Sequence, residues 1–205
     1  MSEESPIHLL SNLLYENCDG IREDDYIKMQ NIIMSIHMGP KRDIIYSECI
    51  MRILVANDGN SLQYASSDLK NNFSIVKIAV MNNSMALGFA SENLRNNYDI
   101  VKTAILHDRD GHVLKHASEN LKNNVELVKM VVERHYYGLY YASEEIKNNI
   151  DVVKIAVRKF GSALQYASPE IKNRRDVLDI ALKTCAWAYW FASDELKKRV
   201  ESESE

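Results

Sequence analysis

The stretch Leu164-Gln165-Tyr166-Ala167-Ser168-Pro169-Glu170-Ile171-Lys172-Asn173 decides the fold, because its parts return along the chain at a fixed interval. Ala-Ser recurs at Ala65-Ser66, Ala90-Ser91, Ala117-Ser118, Ala142-Ser143, Ala167-Ser168 and Ala192-Ser193, with intervals of 25, 27, 25, 25 and 25 residues. Three residues before each Ala stand Leu62, Leu87, Leu114, Leu139, Leu164 and Tyr189; four after it stand Leu69, Leu94, Leu121, Ile146, Ile171 and Leu196. A basic residue and an Asn follow, as in Lys70-Asn71, Arg95-Asn96, Lys122-Asn123, Lys147-Asn148 and Lys172-Asn173. Self-similarity at such a period marks a repeat architecture.

Downstream of each word lies an apolar run, such as Ile75-Val76-Lys77-Ile78-Ala79-Val80 or Val152-Val153-Lys154-Ile155-Ala156-Val157. The period also suits leucine-rich repeats, but their alternating strand with L-x-L-x-x-N is absent. Apolar residues at i, i+1, i+3, i+4 and i+5 instead describe a mostly buried helix with a narrow wet stripe. The stripe is Lys77, Lys102, Lys129 and Lys154, three residues after Ser74, Asp99, Glu126 and Asp151. Acidic residues at the helix start favour the dipole and are expected to pair with the Lys at i+3.

The rest of the word divides at Ser. Ser-Ala-Leu-Gln-Tyr-Ala before Ser168 reads as a short helix. Pro169 is disfavoured inside a helix but welcome at a first position, so Ser168 is expected to cap a new single turn. The Asn pair after that turn is expected to adopt left-handed geometry and then cap the long helix. Each repeat is thus a short helix, a one-turn helix and a longer one. One repeat cannot bury its own apolar face; stacked repeats can.

Outside the regular repeats, Ile50 to Ala65 reads as a degenerate half-repeat that begins near Ser47. The long interval comes from two extra residues in His107-Asp108-Arg109-Asp110-Gly111-His112. Ile7 to Tyr15 and Asp24 to Met38 carry helical periodicity, ended by Gly39-Pro40. The expected fold is therefore an all-α, right-handed-type helical-repeat solenoid of about six stacked 25-residue repeats. Its expected parts are an N-terminal helical cap over 1–43, the array over 44–200 and a disordered acidic tail over 201–205.

The word at Leu164–Asn173 and its siblings resemble an uncharacterised helical-repeat family, a domain of unknown function, with the pattern L-x-Y-A-S-x-E-L-K-N-D followed by x-x-V-V-x-x-A-V. That family occurs in protists, some bacteria and giant DNA viruses. The resemblance covers about residues 47 to 200, with Asn72, Asn97, Asn124, Asn149 and Arg174 in place of the usual Asp. It implies helical repeats and an interaction role, supplies no activity, and would make a host cytoplasm the setting if the chain is viral or from an intracellular pathogen.

Composition narrows the function classes. A net charge of -4 and a pI of about 5.9 lack the basic excess of a duplex binder. No run approaches the roughly 20 apolar residues of a membrane span. Cys18, Cys49 and Cys185 are odd in number and form no metal or CxxC spacing, as in a reduced cytoplasmic protein. None has a His nearby in sequence, and burial is the default reading. The ladder Lys70, Arg95, Lys122, Lys147, Lys172 is matched by Glu92, Glu119 and Glu144 three residues earlier, and cancelled ladders make poor phosphate tracks. The 107–112 loop carries metal-ligand residue types in no calcium or zinc spacing. No catalytic motif stands in the chain, so no catalytic residue, metal or cofactor is assigned and the chain reads as a non-enzyme.

One deviation points outward. Positions five and two before the Ala share a helix face and read Asn60/Gln63, Met85/Gly88, His112/Lys115, Tyr137/Tyr140, Ser162/Gln165 and Trp187/Trp190. Two pairs are doubly aromatic. Tyr137, Tyr140, Trp187 and Trp190 are the candidate protein-binding residues; local packing and closure of the end of the stack are the competing reading. The expected partner is another protein or peptide, with self-association as the alternative.

Overall fold

A computed structural model describes residues 48–203. The cap expected over 1–43, and Cys18 with it, lies outside the described residues. The described residues contain helices and turns and no strand, which makes the chain a helical-repeat protein. They form two compact units with the boundary between Leu94 and Arg95.

The first unit runs through α1 (Glu48–Asn57), a 3-10 segment (Gly59–Tyr64), the one-turn α2 (Ser67–Lys70), α3 (Phe73–Asn82) and a second 3-10 segment (Ser84–Phe89). α1 and α3 lie side by side, with Met51, Leu54 and Val55 buried on one and Ile75, Val76, Ala79 and Val80 on the other. Leu62 and Leu87 close the core from the 3-10 segments. Each buried branched side chain contributes about 1.5–3 kcal/mol of apolar transfer. The one-turn α4 (Glu92–Arg95) spans the boundary.

The second unit repeats the theme: α5 (Tyr98–His107), a 3-10 turn (Val113–His116), α6 (Glu119–Lys122), α7 (Val125–Val132), a 3-10 turn (Tyr136–Gly138), α8 (Glu144–Lys147) and α9 (Ile150–Lys159). It goes on with a 3-10 segment (Gly161–Tyr166), α10 (Pro169–Lys172), α11 (Arg175–Leu182), α12 (Ala188–Phe191) and α13 (Asp194–Ser202). α5 packs on α7, α7 on α9 and α9 on α11. The short expected helices are 3-10 except α12. The last helix reaches Ser202, two residues into the segment expected as a tail, because Tyr189 donates to Glu201 at 2.8 Å and Arg175 to Glu203 at 2.9 Å.

Capping follows the chemistry of the word. Ser66, Ser91, Ser118, Ser143, Ser168 and Ser193 each accept from the backbone N–H three residues on, at 3.1–3.3 Å. Pro169 sits in the first turn of α10. Asn72, Asn97, Asn124 and Asn149 cap the long helices, whereas Arg174 makes no cap and bonds Asp176. The left-handed Asn is corrected. Asn71, Asn123, Asn148 and Asn173 have φ of -101, -94, -97 and -87°, and no non-glycine residue described has positive φ. A one-turn helix running straight into the next cap needs no reversal of hand.

The first Asn has a different task. Each Ser hydroxyl donates to the side-chain oxygen of the Asn in the preceding repeat, Ser91 to Asn71, Ser118 to Asn96, Ser143 to Asn123, Ser168 to Asn148 and Ser193 to Asn173, at 2.5–2.7 Å. The Ser N–H donates to the carbonyl of the basic residue beside that Asn, at 2.9–3.1 Å. One residue caps its own turn and latches onto the turn before.

A second tie spans repeats at the other end of the long helices. A helix leaves its last carbonyls unpaired. Asn82 donates to the Ala56 carbonyl at 2.8 Å, Arg134 to Ile105 and Leu106 at 3.2 and 3.1 Å, and Thr184 to Val157 at 3.2 Å. These three residues hold equivalent places in their repeats, and each caps the repeat before its own.

Candidate interaction surface

The short segments before each Ala set the surface in the second unit, where the core residue three before the Ala, such as Leu139 or Leu164, is fully buried. Tyr140 is 53% exposed, Trp187 71% and Trp190 64%. Tyr137 is half-buried. Its ring lies 3.9 Å from Tyr136, 4.8 Å from His112 and 6.3 Å from Tyr166. The four candidates therefore divide: Tyr137 packs in a local cluster, as the competing reading had it, while Tyr140, Trp187 and Trp190 face solvent.

The cluster joins several side chains not singled out from sequence. Tyr140 stands edge-on to Tyr141 at 4.8 Å and to Tyr166 at 5.2 Å, and Tyr136 meets Phe160 at 6.4 Å. His112 Nδ1 and the Tyr141 hydroxyl are 3.0 Å apart. Tyr141 and Tyr166 precede their Ala by one residue, a place also held by Tyr64, Phe89, His116 and Phe191. That aromatic ladder, with a single His, was the available signal. Sharing a hydrogen bond with Tyr137 pushes the Tyr136 hydroxyl up to about 12, and burial raises Tyr141 and Tyr166. These phenols stay neutral and hydrogen-bonding through the physiological range.

At the C-terminal end, Trp190 packs edge-on against Tyr189 at 5.9 Å, and the Tyr189 hydroxyl, held up by its bond to Glu201, ties α12 to α13. Leu182 of α11 takes the place that Val157 holds in α9. Val157 is fully buried, whereas Leu182 is 39% exposed beside Trp187 in chain order. Cys185 is half-buried there; Cys18 lies outside the described residues.

The charged ladders come out differently from each other. Lys122 pairs with Glu119 at 2.7 Å, Lys147 with Glu144 at 2.8 Å and Lys197 with Asp194 at 3.2 Å. Arg95 joins no ion pair among the described residues and its Nε is buried without a hydrogen-bond partner. Pro169 occupies the carboxylate's place before Lys172, whose ammonium is lowered by burial. The expected pairing along the second ladder is corrected. Lys154 reaches across to Asp176 of the next repeat at 2.7 Å, and Lys77 and Lys102 lie over Phe73 and Tyr98 at 5.9 and 5.7 Å. An aromatic face one turn back holds a lysine stem better than a solvated carboxylate does.

The insertion loop is a structural device. The Asp108 carboxylate accepts from Val113 N–H at 3.1 Å and Asp110 N–H at 3.4 Å, and Gly111 has φ 78° with His135 where a Cβ would go. Among the described residues no three His, Cys, Asp or Glu side chains converge to hold a metal ion, and no helix is long and apolar enough to cross a membrane.

The family model of a domain of unknown function, DUF4116, matches the chain over residues 48–95, 74–109, 97–147, 124–172 and 149–197. These overlapping matches follow the repeat. No curated protein and no solved structure matches the sequence.

Proposed function

We propose that this chain, which belongs to the DUF4116 family of helical repeats, is a non-enzymatic scaffold that binds another protein or a peptide through Tyr140, Trp187 and Trp190. The observation that carries the reading is exposure: Tyr140 and Trp190 face water two residues before their Ala, and Trp187 does so five before, while the repeat core is closed. Large aromatics of this kind anchor interfaces at low entropic cost. The setting we infer is the cytoplasm, from three widely spaced cysteines without a pairing pattern.

The test replaces Tyr140, Trp187 and Trp190 together by Ala and compares capture with the unaltered chain under matched loading. Partners held by the unaltered chain and lost by a folded variant support the reading; capture that persists overturns it. Exposed Leu182 favours a second reading, self-association through the C-terminal end. Light scattering over a concentration series decides it, a strict monomer removing self-association.

A further inference from the structure

The short segments of the second unit form a row. The 3-10 turn Tyr136–Gly138 lies against Gly161–Tyr166, which in turn lies against α12. The turn Val113–His116 joins the row through the residue before it, His112, whose ring is 4.8 Å from Tyr137 and whose Nδ1 is 3.0 Å from the Tyr141 hydroxyl. Two residues before the Ala that follows each segment stand Lys115, Tyr140, Gln165 and Trp190, in that order. Lys115 is exposed and joins no ion pair among the described residues. Tyr140 and Trp190 face water, and Gln165 between them is half-buried with its amide on the Ser162 carbonyl at 3.1 Å.

Spacing selects the backbone of a ligand that would follow this row. Packed helices sit about 8–10 Å apart, so the row advances by about that distance at each repeat. An α-helix climbs about 5.4 Å per turn, and its successive anchors fall out of step with the repeats. A β-strand covers the distance in three residues but turns the third side chain to the opposite face. The described residues also offer no sheet edge to receive a strand. Polyproline II has three residues per turn and rises about 3.1 Å per residue, so every third side chain returns to one face after about 9 Å.

We propose that the row binds a proline-rich peptide in the polyproline II conformation, with an acidic residue opposite Lys115 and prolines at every third place thereafter, opposite Tyr140, Gln165 and Trp190. The ligand class rests on the protein-binding reading above. Charge complementarity fixes its acidic end, since Lys115 has no carboxylate of its own. Proline rings dock on aromatic faces. A polyproline II backbone leaves its carbonyls without internal partners, and the row answers with a phenol, an amide and an indole N–H, each able to donate.

The chain's two tryptophans, Trp187 and Trp190, are both exposed at one end of the row, so their fluorescence reports occupancy. The full chain is titrated with two capped decapeptides, nine prolines with one Asp at either end, and with the same peptides carrying Lys for Asp. Saturable binding of an Asp peptide is expected. K115E, a change at one exposed group, should weaken that peptide about threefold and shift the preference to a Lys peptide. Y140A and W190A should each weaken it about tenfold, Trp187 reporting in the second case. No saturable response to either Asp peptide, or an equal response to a Gly-Ser decapeptide bearing the same Asp, overturns the polyproline class. If the Tyr140, Trp187 and Trp190 alanine variant nevertheless loses captured partners, the protein-binding reading outlives that failure. A K115E chain whose preference does not move overturns the register. Tighter binding of an amphipathic helical peptide gives the row to a helix, and a concentration-dependent dimer that the Asp peptides fail to dissociate gives it to a second copy; either result overturns the proposal.

Discussion

Ser168 and Asn148 are joined by a 2.7 Å hydrogen bond across two repeats, and the same Ser168 oxygen accepts from the Ile171 N–H at 3.2 Å. The two roles are compatible because a hydroxyl has one proton to give and lone pairs to receive. Ser168 is buried, whereas Asn148 is exposed and can turn to water. The serine is therefore the member of the pair whose loss is felt.

Ser168→Ala is expected to lower the unfolding free energy by about 1–2 kcal/mol, through the lost cap and the lost bond between repeats. Asn148→Ala should cost about 0.5 kcal/mol, since the hydroxyl keeps its cap. Urea unfolding of the single and double variants measures both. If Asn148→Ala is the costlier change, the latch does not rest on the serine.

The repeat, its helices, the serine caps and the second Asn cap were legible because they obey local rules of spacing and end chemistry. What the word hides is which neighbour a polar group chooses. Ser-to-Asn, Arg134-to-Ile105 and Lys154-to-Asp176 all join residues 20 to 29 positions apart, and local propensity prefers i+3 partners in each case. The 25-residue recurrence of a polar residue at Asn82, His107, Arg134, Lys159 and Thr184 (27 at the insertion) was visible, but only Asn82, Arg134 and Thr184 reach a carbonyl of the repeat before, a contact that depends on stacking. The aromatic surface was half legible: spacing placed Tyr137 and Tyr140 on one face, while the burial of Tyr137 depends on His112 and Tyr166 from flanking repeats.

The aromatic residues should separate in stability as they do in exposure. Tyr137→Ala removes a packed ring and is expected to cost about 1–2 kcal/mol. Trp187→Ala and Trp190→Ala should change stability by no more than about 0.5 kcal/mol. Thermal and urea unfolding check the order. Equal losses at Tyr137 and Trp187 would mean that the indoles are packing residues after all.

Gly111 is the one described glycine with positive φ, and a methyl group there would press on the His135 ring. Gly111→Ala is expected to cost about 1–2 kcal/mol, more than the gain from a stiffer unfolded chain. The pair Gly111→Ala and His135→Ala distinguishes the causes. If removing the ring restores full stability, the clash dominates; if none returns, the backbone hand does.

Asp176 ties two repeats electrostatically. Hydrogen bonds from Arg174 and then Lys154 hold its carboxyl down from 3.8 to about 2. A carboxyl depressed in the folded state adds stability that is complete above the unfolded value and disappears as pH falls from about 4 through about 2. Its side chain is 44% exposed, so screening keeps the contribution under about 1 kcal/mol. Asp176→Asn should therefore destabilise the chain at neutral pH, with the gap to the unaltered protein shrinking steadily as pH falls from about 4 towards about 2, and shrinking also in high salt. A gap between the two proteins that stays constant from neutral pH to pH 2 would show that Asp176 acts through its shape and not its charge.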